Sequence, residues 1–343
     1  MRNWKMMVRM GLRSERSQGM QKVKWGILGT ANIAKWCTIP GMKQAESCEL
    51  YAIAGRSLEK AQRFASDYGI PKAYGSYDEL IADADVQAVY IPLPNDIHLK
   101  WVKTALQAGK HVLCEKPLAM NAQEAKEMYR TAGECGVLLM EAYAYLHSPY
   151  VAALKEDIAS GIIGDVLFVD SAFYTQYYTD DIRMYKEMGG GAVYDLGCYC
   201  STLILSLVDS EVDTVMAQAE FNEYGADVLA SALLKFRNGV RAAFNVGMNL
   251  GVESNARKDH LYVHGTKGVI DSPVEFNQAG ELSYTITAGG KTTVRTVSAP
   301  QNYSLEVAQL GRCIESGEKP FITEDFTVKN AELLDAVLGQ IGY

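Results

Sequence analysis

Short apolar runs, separated by longer amphipathic stretches, fill the chain between residues 21 and 142. The runs predict five buried strands, over residues 23–28, 50–54, 86–91, 111–115 and 137–140. The stretches between them predict helices, two of which begin with a polar cap and a Glu three residues later, Ser76-x-x-Glu79 and Asn121-x-x-Glu124. Such strand–helix repeats are typical of a parallel, doubly wound sheet. We therefore predict an α/β Rossmann domain over residues 21–142.

Beyond residue 142 the pattern changes towards longer β stretches. The first predicted elements are a helix from Ser148-Pro149, a strand over 166–174, and a helix from the glycines 189–191 to about Leu207. Two hairpins follow, with turns at Asn238-Gly239 and Gly289-Gly290. Two amphipathic patterns, 303–316 and 324–338, predict helices that pack back on the first domain. Residues 143–343 are thus predicted to form an α+β domain with a large, mostly antiparallel, open-faced sheet, which would bind substrate and mediate oligomerisation.

Composition narrows the classes of function. The 343 residues carry a net charge of −8 and no block of Lys or Arg, which argues against nucleic acid or an anionic membrane as partner. The seven Cys form no C-x-x-C pair, and the five His are not at metal-ligand spacing. Every apolar run is too short to span a bilayer. We expect a reduced, cytoplasmic protein without a metal site.

The first predicted strand leads into Gly29-Thr30-Ala31-Asn32-Ile33-Ala34, a degenerate dinucleotide fingerprint with Ala at two of the three Gly positions. Gly29 allows a tight turn, Ala31 lets the backbone approach a pyrophosphate, and Ala34 permits close helix–strand packing. Gly29, Thr30, Ala31, Asn32 and Ile33 are therefore candidate cofactor-binding residues. The motif alone is a weak signal.

The second predicted strand ends in Gly55-Arg56-Ser57. NAD-binding proteins usually place an acidic residue here, on the ribose 2′-hydroxyl. Arg56, Ser57 and Lys60 would instead hold a 2′-phosphate through charge-assisted hydrogen bonds. We therefore predict NADP as cofactor, with NAD as the alternative. The simpler interpretation of Arg56 is an exposed loop residue.

Residues 1–20 differ from the rest of the chain. They hold five basic residues against one acidic residue and lack the apolar run of a secretory signal. Met20 stands just before the first predicted strand. We expect a disordered arm or a start codon assigned too early, and an arm that folds over the cofactor is the alternative.

Three further residues are candidates for chemistry. Lys116 follows the strand 111–115 and precedes Pro117, so it faces the crevice where open α/β sheets bind ligands. Asp195 and Tyr199 lie four residues apart on the predicted helix after the glycine run, and so project from one face. The simpler interpretation is a surface Lys, an Asp that bonds backbone near the start of its helix and a structural Tyr.

Five stretches, in order along the chain, resemble the glucose-fructose oxidoreductase / inositol dehydrogenase / MocA family. They are Gly26-Ile27-Leu28-Gly29-Thr30, Pro94-Asn95-x-x-His98, Ala108-Gly109-Lys110-His111-Val112-Leu113-x-Glu115-Lys116-Pro117-Leu118, Met140-Glu141-Ala142 and Gly189-Gly190-Gly191-x-x-x-Asp195-x-Gly197-x-Tyr199. The resemblance covers about residue 22 to the C-terminus. It implies a Rossmann domain, a second domain with an open-faced sheet, and a nicotinamide cofactor between them.

The resemblance also implies roles for single residues. Lys116 would reach the nicotinamide and the substrate, Asp195 would orient the substrate, and Tyr199 stands where many members carry His. Members with Tyr at this point include dihydrodiol dehydrogenase, xylose dehydrogenase and sugar 3-ketoreductases. The other cofactor-binding positions implied by the family are Pro92, Leu93, Asn95, His98, Glu115 and Arg183, and Ile182 replaces the Trp that members often have before this Arg.

We therefore predict an NADP-dependent oxidoreductase that transfers hydride between the nicotinamide and a secondary alcohol or carbonyl of a sugar or cyclic diol. A free Tyr, with a pKa of about 10, is too weakly ionised at neutral pH to act as base. Lys116 beside Tyr199 would favour the phenolate, and either residue would deliver the proton. The alternative is a non-catalytic NADP-binding sensor. The uncovered sheet face predicts a homo-oligomer, most simply a dimer.

Overall fold

The structure is a computed structural model of the 343-residue chain, and it describes residues 22–175, 178, 181–248, 250, 258–273 and 276–343. The predicted arm, residues 1–20, lies outside the described residues.

The first sheet is the doubly wound, parallel sheet that the sequence predicts. Its strands are β1 Val23–Leu28, β2 Cys48–Ala54, β3 Lys72–Tyr74, β4 Ala88–Ile91, β5 His111–Glu115 and β6 Leu139–Ala142. They lie in the order β3-β2-β1-β4-β5-β6, which reverses between β1 and β4, where such sheets bind ligands. The three-residue β3 is too short to show a pattern in the sequence, and β6 begins at Leu139 where the pattern indicated residue 137.

The α-helices of the described residues pack on this sheet and on the second one. They are α1 Ile39–Gln44, α2 Leu58–Tyr68, α3 Tyr77–Ala82, α4 His98–Gln107, α5 Ala122–Cys135, α6 Pro149–Ala159, α7 Cys198–Leu207, α8 Asn302–Ser316 and α9 Glu324–Ile341. Short π-helical segments, Ala34–Thr38 and Val193–Gly197, lead into α1 and α7. The predicted caps of α3 and α5 are confirmed, because Ser76 and Asn121 accept the N–H of the Glu three residues on.

The second sheet is mostly antiparallel. Its strands are β7 Val166–Tyr174, β8 Val212–Phe221, β9 Asp227–Phe236, β10 Arg241–Gly247, β11 Lys258–Gly265, β12 Gly268–Ser272, β13 Gly280–Ala288 and β14 Lys291–Ala299. They lie in the order β14-β13-β12-β11-β7-β10-β9-β8, and only β7 and β10 pair in parallel. Both predicted hairpins are confirmed, with left-handed φ angles of +91° at Gly239 and +58° and +75° at Gly289 and Gly290.

The two domains are joined by more than the chain that connects them. Gln301, just before α8, donates from Nε2 to the Cys37 carbonyl at 3.0 Å, and Asp335 of α9 accepts the Ala122 N–H at 2.9 Å. Buried apolar side chains of both domains form one continuous core, from Trp25 in β1 to Leu338 in α9. This core fixes the strand ends of the first sheet against the second domain.

Candidate active site

Loops after three neighbouring strands meet at one edge of the first sheet. The pairs Ile27–Tyr90 and Ile91–Cys114 bring the carboxyl ends of β1, β4 and β5 side by side. The second domain closes against this edge, since Asn95 Nδ2, in the loop after β4, donates to the Gly189 carbonyl at 2.8 Å. The site therefore lies between the domains.

The loop after β1 has the form that a dinucleotide requires. Gly29 has φ +111°, and a Cβ there would lie 3.0 Å from Leu93 Cδ2, so a larger residue would be strained and crowded. Thr30, Ala31 and Ile33 are half-buried, Asn32 is exposed, and the buried Ala34 starts the following helix. The first turn of a helix presents free N–H groups to a phosphate. These residues fit the pyrophosphate of a dinucleotide.

Arg56, Ser57 and Lys60 are exposed where β2 ends. Ser57 Oγ accepts the Lys60 N–H at 3.4 Å and so caps α2. Burial raises the pKa of Tyr77, and the positive charge of Arg56 opposes that rise. The Tyr77 hydroxyl is 3.7 Å from where a Cβ on Gly29 would lie. An exposed guanidinium beside the dinucleotide loop fits a phosphate on the adenosine ribose.

His98 does not line the crevice as the family resemblance implied. It has no exposed surface, and its Nδ1 and Nε2 lie 3.0 Å from the Pro117 carbonyl and 2.8 Å from the Leu93 carbonyl. Burial lowers its pKa. An imidazole whose two nitrogens face carbonyls of the loops after β4 and β5 holds those loops together. Pro92 and Leu93 are likewise buried, and Leu93 lies against Gly29 of the dinucleotide loop.

Lys116 and Asp195 form an ion pair across the domain boundary. Lys116 Nζ donates to Asp195 Oδ1 at 3.0 Å and to the Asp195 carbonyl at 2.8 Å. The side chains are only 10% and 13% exposed. Burial alone would lower the pKa of Lys116, but the Asp195 carboxylate raises it well above its usual range. Lys116 is therefore held as an ammonium ion at neutral pH and can donate hydrogen bonds.

Arg183 is a second cation on the same carboxylate. Its Nε lies 2.9 Å from Asp195 Oδ2, and its Nη1 lies 3.1 Å from Asp181 Oδ1. Burial would raise the pKa of Asp195, but Arg183 and Lys116 hold it well below its usual range. The structure thus places Arg183 against Asp195, which binds a cation on each oxygen.

Tyr199 lies next to this charge cluster, within a set of aromatic rings. Its ring centroid is 4.6 Å from Lys116 Nζ, and its hydroxyl accepts a hydrogen bond from Asn277 Nδ2 at 3.2 Å. Burial raises the pKa of Tyr199 to about 12, and Lys116 opposes the rise without cancelling it. The Lys116 charge therefore lowers the pKa of Tyr199, as expected, but by less than burial raises it. The phenol is protonated at neutral pH.

The three consecutive glycines allow close contacts with protein on both sides. A Cβ on Gly189 would lie 2.5 Å from Met120 Sδ, one on Gly190 2.4 Å from the Arg183 carbonyl, and one on Gly191 2.1 Å from Asp227 Oδ1. Asp227 is buried, and its Oδ2 accepts the Val193 N–H at 2.8 Å, which fixes the start of the helix carrying Asp195 and Tyr199. Glycine is needed at all three positions, because a larger residue would push the chain away from Met120, Arg183 or Asp227.

Several residues of the site were not found from the sequence. Asn277 and Phe276 contact Tyr199 from the segment between β12 and β13, and Tyr343 donates to the Gly190 carbonyl at 2.6 Å. Tyr90 donates to Glu115 Oε1 and accepts from Thr38 at 2.9 Å, so the half-buried Glu115 is held from behind. The four residues that were missed lie outside every motif: Tyr90, Phe276, Asn277 and Tyr343. Only the frequency of Tyr, 20 in the chain, hinted at an aromatic site.

Two negative findings apply to the described part of the chain. No group of three or more His, Cys, Asp or Glu side chains there is placed to hold a metal ion. None of its helices combines the length and the apolar character that crossing a membrane requires.

The sheet order and the glycine turn at the β1 end are those of a dinucleotide-binding protein, and an ion pair is buried between its two domains. Comparison with known families agrees. An oxidoreductase family with an NAD-binding Rossmann fold matches residues 23–143, and the GFO/IDH/MocA C-terminal domain matches residues 151–271. The chain belongs to the GFO/IDH/MocA family of oxidoreductases, as the resemblance in its motifs predicted.

Relatives with assigned names cover nearly the whole chain. A D-xylose 1-dehydrogenase (NADP(+)) of Haloferax volcanii is 34% identical over 319 residues, 91% of this chain and 95% of its own length. A trans-1,2-dihydrobenzene-1,2-diol dehydrogenase of Xenopus laevis is 33% identical over 336 residues, 93% and 98% of the two chains. The crystal structure of a 3-ketoreductase of Actinomadura kijaniata with NADP and TDP-benzene has a TM-score of 0.87 and 28% identity, covering 94% and 98%.

Proposed function

We propose that the protein is an NADP-dependent oxidoreductase that interconverts a secondary alcohol and a carbonyl on a sugar or cyclic diol. The names of its relatives support this substrate class and this cofactor. The observation that carries the proposal is the buried Lys116–Asp195 pair with the Tyr199 ring against it, at the strand ends where a dinucleotide fits. A protein that only senses its cofactor has no need of a proton donor at this point.

The residues that would hold the cofactor come from three strand ends. Gly29, Thr30, Ala31, Asn32 and Ile33 would surround the pyrophosphate, and Arg56, with Ser57 and Lys60, the 2′-phosphate. Asn95 and Glu115 border the crevice that would receive the nicotinamide half. When bound, the nicotinamide supplies the acceptor or donor for the hydride.

Tyr199 is assigned the proton at the substrate oxygen. Its phenol is protonated at neutral pH, since burial raises its pKa to about 12, and it can therefore donate when a carbonyl is reduced. In alcohol oxidation it must accept the same proton, and the nearby Lys116 ammonium favours the phenolate that does so. Lys116 also donates a hydrogen bond to the oxygen as negative charge develops there.

Asp195 and Arg183 position Lys116. Asp195 binds Lys116 through both a carboxylate oxygen and its carbonyl, which fixes the direction of the ammonium. Arg183 keeps Asp195 ionised, since its charge lies at the other carboxylate oxygen. We therefore assign Arg183 the role of keeping Asp195 ionised, in addition to its predicted role in binding the cofactor.

The test is turnover of a panel of sugars, cyclic diols and their ketones with NADPH and NADP, for the wild type and Tyr199→Phe. Removal of the hydroxyl should lower kcat and kcat/KM alike, by roughly 10² to 10⁴, and leave NADPH affinity unchanged. Tyr68→Phe, at the end of α2 in the first domain, is the matched control and should behave as wild type. Wild-type kcat in Tyr199→Phe would remove the acid–base role, and NADPH binding without turnover of any compound would support the sensor.

A further inference from the structure

Asn277 lies between β12 and β13 and reaches the hydroxyl of Tyr199. Its Nδ2 donates to that hydroxyl at 3.2 Å. Its Oδ1 is buried and has no hydrogen-bond partner among the described residues. One end of the amide thus contacts the proposed acid–base group, and the other end is an unpaired acceptor next to it.

The segment that carries Asn277 is anchored on both the polar and the apolar side. The Phe276 N–H donates to Asp259 Oδ2 at 2.5 Å, and Asp259 is buried on β11. The centroid of the Phe276 ring lies 5.3 Å from that of the Tyr199 ring and 5.0 Å from that of the Tyr145 ring. Because the preceding residue is fixed by a hydrogen bond and by ring packing, Asn277 is held against Tyr199.

Because Asn277 is the donor in this hydrogen bond, the Tyr199 hydroxyl keeps its own proton to donate. A tyrosine hydroxyl has one proton to donate and accepts through its lone pairs. Since the Asn277 N–H occupies an accepting position, the Tyr199 proton is free to point at another acceptor. A donor to the hydroxyl also favours the phenolate, in the same direction as the Lys116 charge.

We propose that Asn277 is a positioning and specificity-determining residue, which aims the Tyr199 proton at the reacting oxygen and accepts a hydrogen bond from a hydroxyl on the next carbon of the substrate. The inference rests on the proposed role of Tyr199. The two ends of an amide lie side by side, so a donor that reaches Oδ1 while the reacting oxygen is at Tyr199 belongs to a neighbouring carbon. A buried acceptor left unpaired disfavours substrates without that hydroxyl.

Two pairs of probes test the specificity, each with NADP: trans-cyclohexane-1,2-diol with cyclohexanol, and D-xylose with 2-deoxy-D-xylose. In the wild type, kcat/KM should favour the compound with the neighbouring hydroxyl by roughly 10²-fold or more. Asn277→Leu removes both polar ends at similar size, so the preference should fall at least about tenfold. Turnover of neither pair would count against the proposed function and remove the basis of the inference.

The pH profile of alcohol oxidation tests the positioning role, because a merely structural Asn would not change it. Asn277→Leu should move the rise in rate to higher pH, since the phenolate loses a donor. Asn277→Asp, whose carboxylate competes for the Tyr199 proton, should move it further and lower kcat more. Gln278→Glu adds the same charge at the exposed neighbouring residue and should match the wild type.

The outcomes separate the inference from the proposed function. If Tyr199→Phe is inactive while Asn277→Leu keeps the wild-type preference and pH profile, the assignment of Asn277 is overturned and the proposed function stands. If Tyr199→Phe keeps wild-type kcat, the acid–base role of Tyr199 and the inference that rests on it are overturned, while the oxidoreductase activity itself stands. NADPH affinity and thermal unfolding show whether Asn277→Leu is folded, and should it not be, Asn277→Ser carries the test, with the same loss of preference expected.

Discussion

One carboxylate between two cations sets the charge at the centre of the site. Asp195 binds Lys116 and Arg183, so the cluster keeps one net positive charge on the described side chains that touch Asp195. Burial makes each of these charges costly unless the partners are present. The same burial keeps Tyr199 protonated. Loss of Asp195 would leave two cations facing each other, and its role is to hold Lys116 charged and in place.

We expect the choice of cofactor to depend on Arg56. Arg56→Ala should weaken NADPH binding by roughly 1.5–3 kcal/mol, the contribution of a charge-assisted hydrogen bond, and leave NADH binding nearly unchanged. Arg63→Ala is the matched control, because Arg63 is exposed on α2, the helix that follows Arg56, and pairs with Glu59. The measurement is fluorescence titration with both cofactors. Equal losses for NADPH and NADH would show that Arg56 does not contact a 2′-phosphate.

At the scale of elements, the end of β6 supports the loop that follows Lys116. Glu141 Oε1 accepts the Leu118 N–H at 2.8 Å, and its Oε2 has no partner among the described residues. Burial raises the pKa of Glu141 from 4.5 to about 7. The folded state therefore holds this proton more tightly than the unfolded chain does. Stability from this group is complete below pH 4.5 and is lost as the pH rises through about 7.

Glu141→Gln should remove this dependence and keep the acceptor for Leu118. Its free energy of unfolding should be close to that of the wild type at about pH 5 and higher at about pH 8, by up to about 3 kcal/mol. Denaturant unfolding of both proteins at the two pH values measures it. Asp227, whose pKa burial raises to about 6, titrates in the same range, so the difference between the two proteins is the relevant quantity. A difference independent of pH would contradict the prediction.

At the scale of the whole molecule, one face of the second sheet has no cover within the chain as described. Met216, Leu233 and Val294 belong to one row of directly paired residues across the sheet, and they are 67%, 56% and 66% exposed. The same row also contains Asp170, Tyr262, Asp271 and Thr285, so apolar and polar side chains alternate across this face. Large apolar side chains exposed on an uncovered sheet face are a feature of interfaces.

We therefore expect a homodimer that forms through this face, as the sequence predicted. A charged substitution on the face should weaken the dimer. Leu233→Glu should convert the dimer to monomer at micromolar concentration, because the single two-fold interface would bury one added charge from each subunit. Leu167→Glu is the control, since Leu167 is 54% exposed near the start of β7 and its side chain does not belong to the paired row. Light scattering of the eluted protein gives the mass. A wild-type monomer would refute the expectation.

Local patterns were sufficient to predict most of the fold. Hydrophobic period, caps and Gly turns gave the parallel sheet, both hairpins and the last two helices, because each depends on residues close in sequence. The failures were β3, which is three residues long, and the starts of β2, β4 and β6, each two residues from the predicted position, because a continuous apolar run does not mark its own ends. Lys116, Asp195, Tyr199 and Arg183 were found because they lie in or near motifs shared with a family.

The tertiary structure decided what those residues contact. It placed His98 under the loops instead of in the crevice, because burial between two carbonyls is a property of the packed domain. It brought Arg183 to Asp195 across 12 positions of the chain and Asn277 to Tyr199 across 78. It also made burial outweigh Lys116 in the pKa of Tyr199. Sequence determines which groups are available, but desolvation and long-range contacts exist only once the chain is folded.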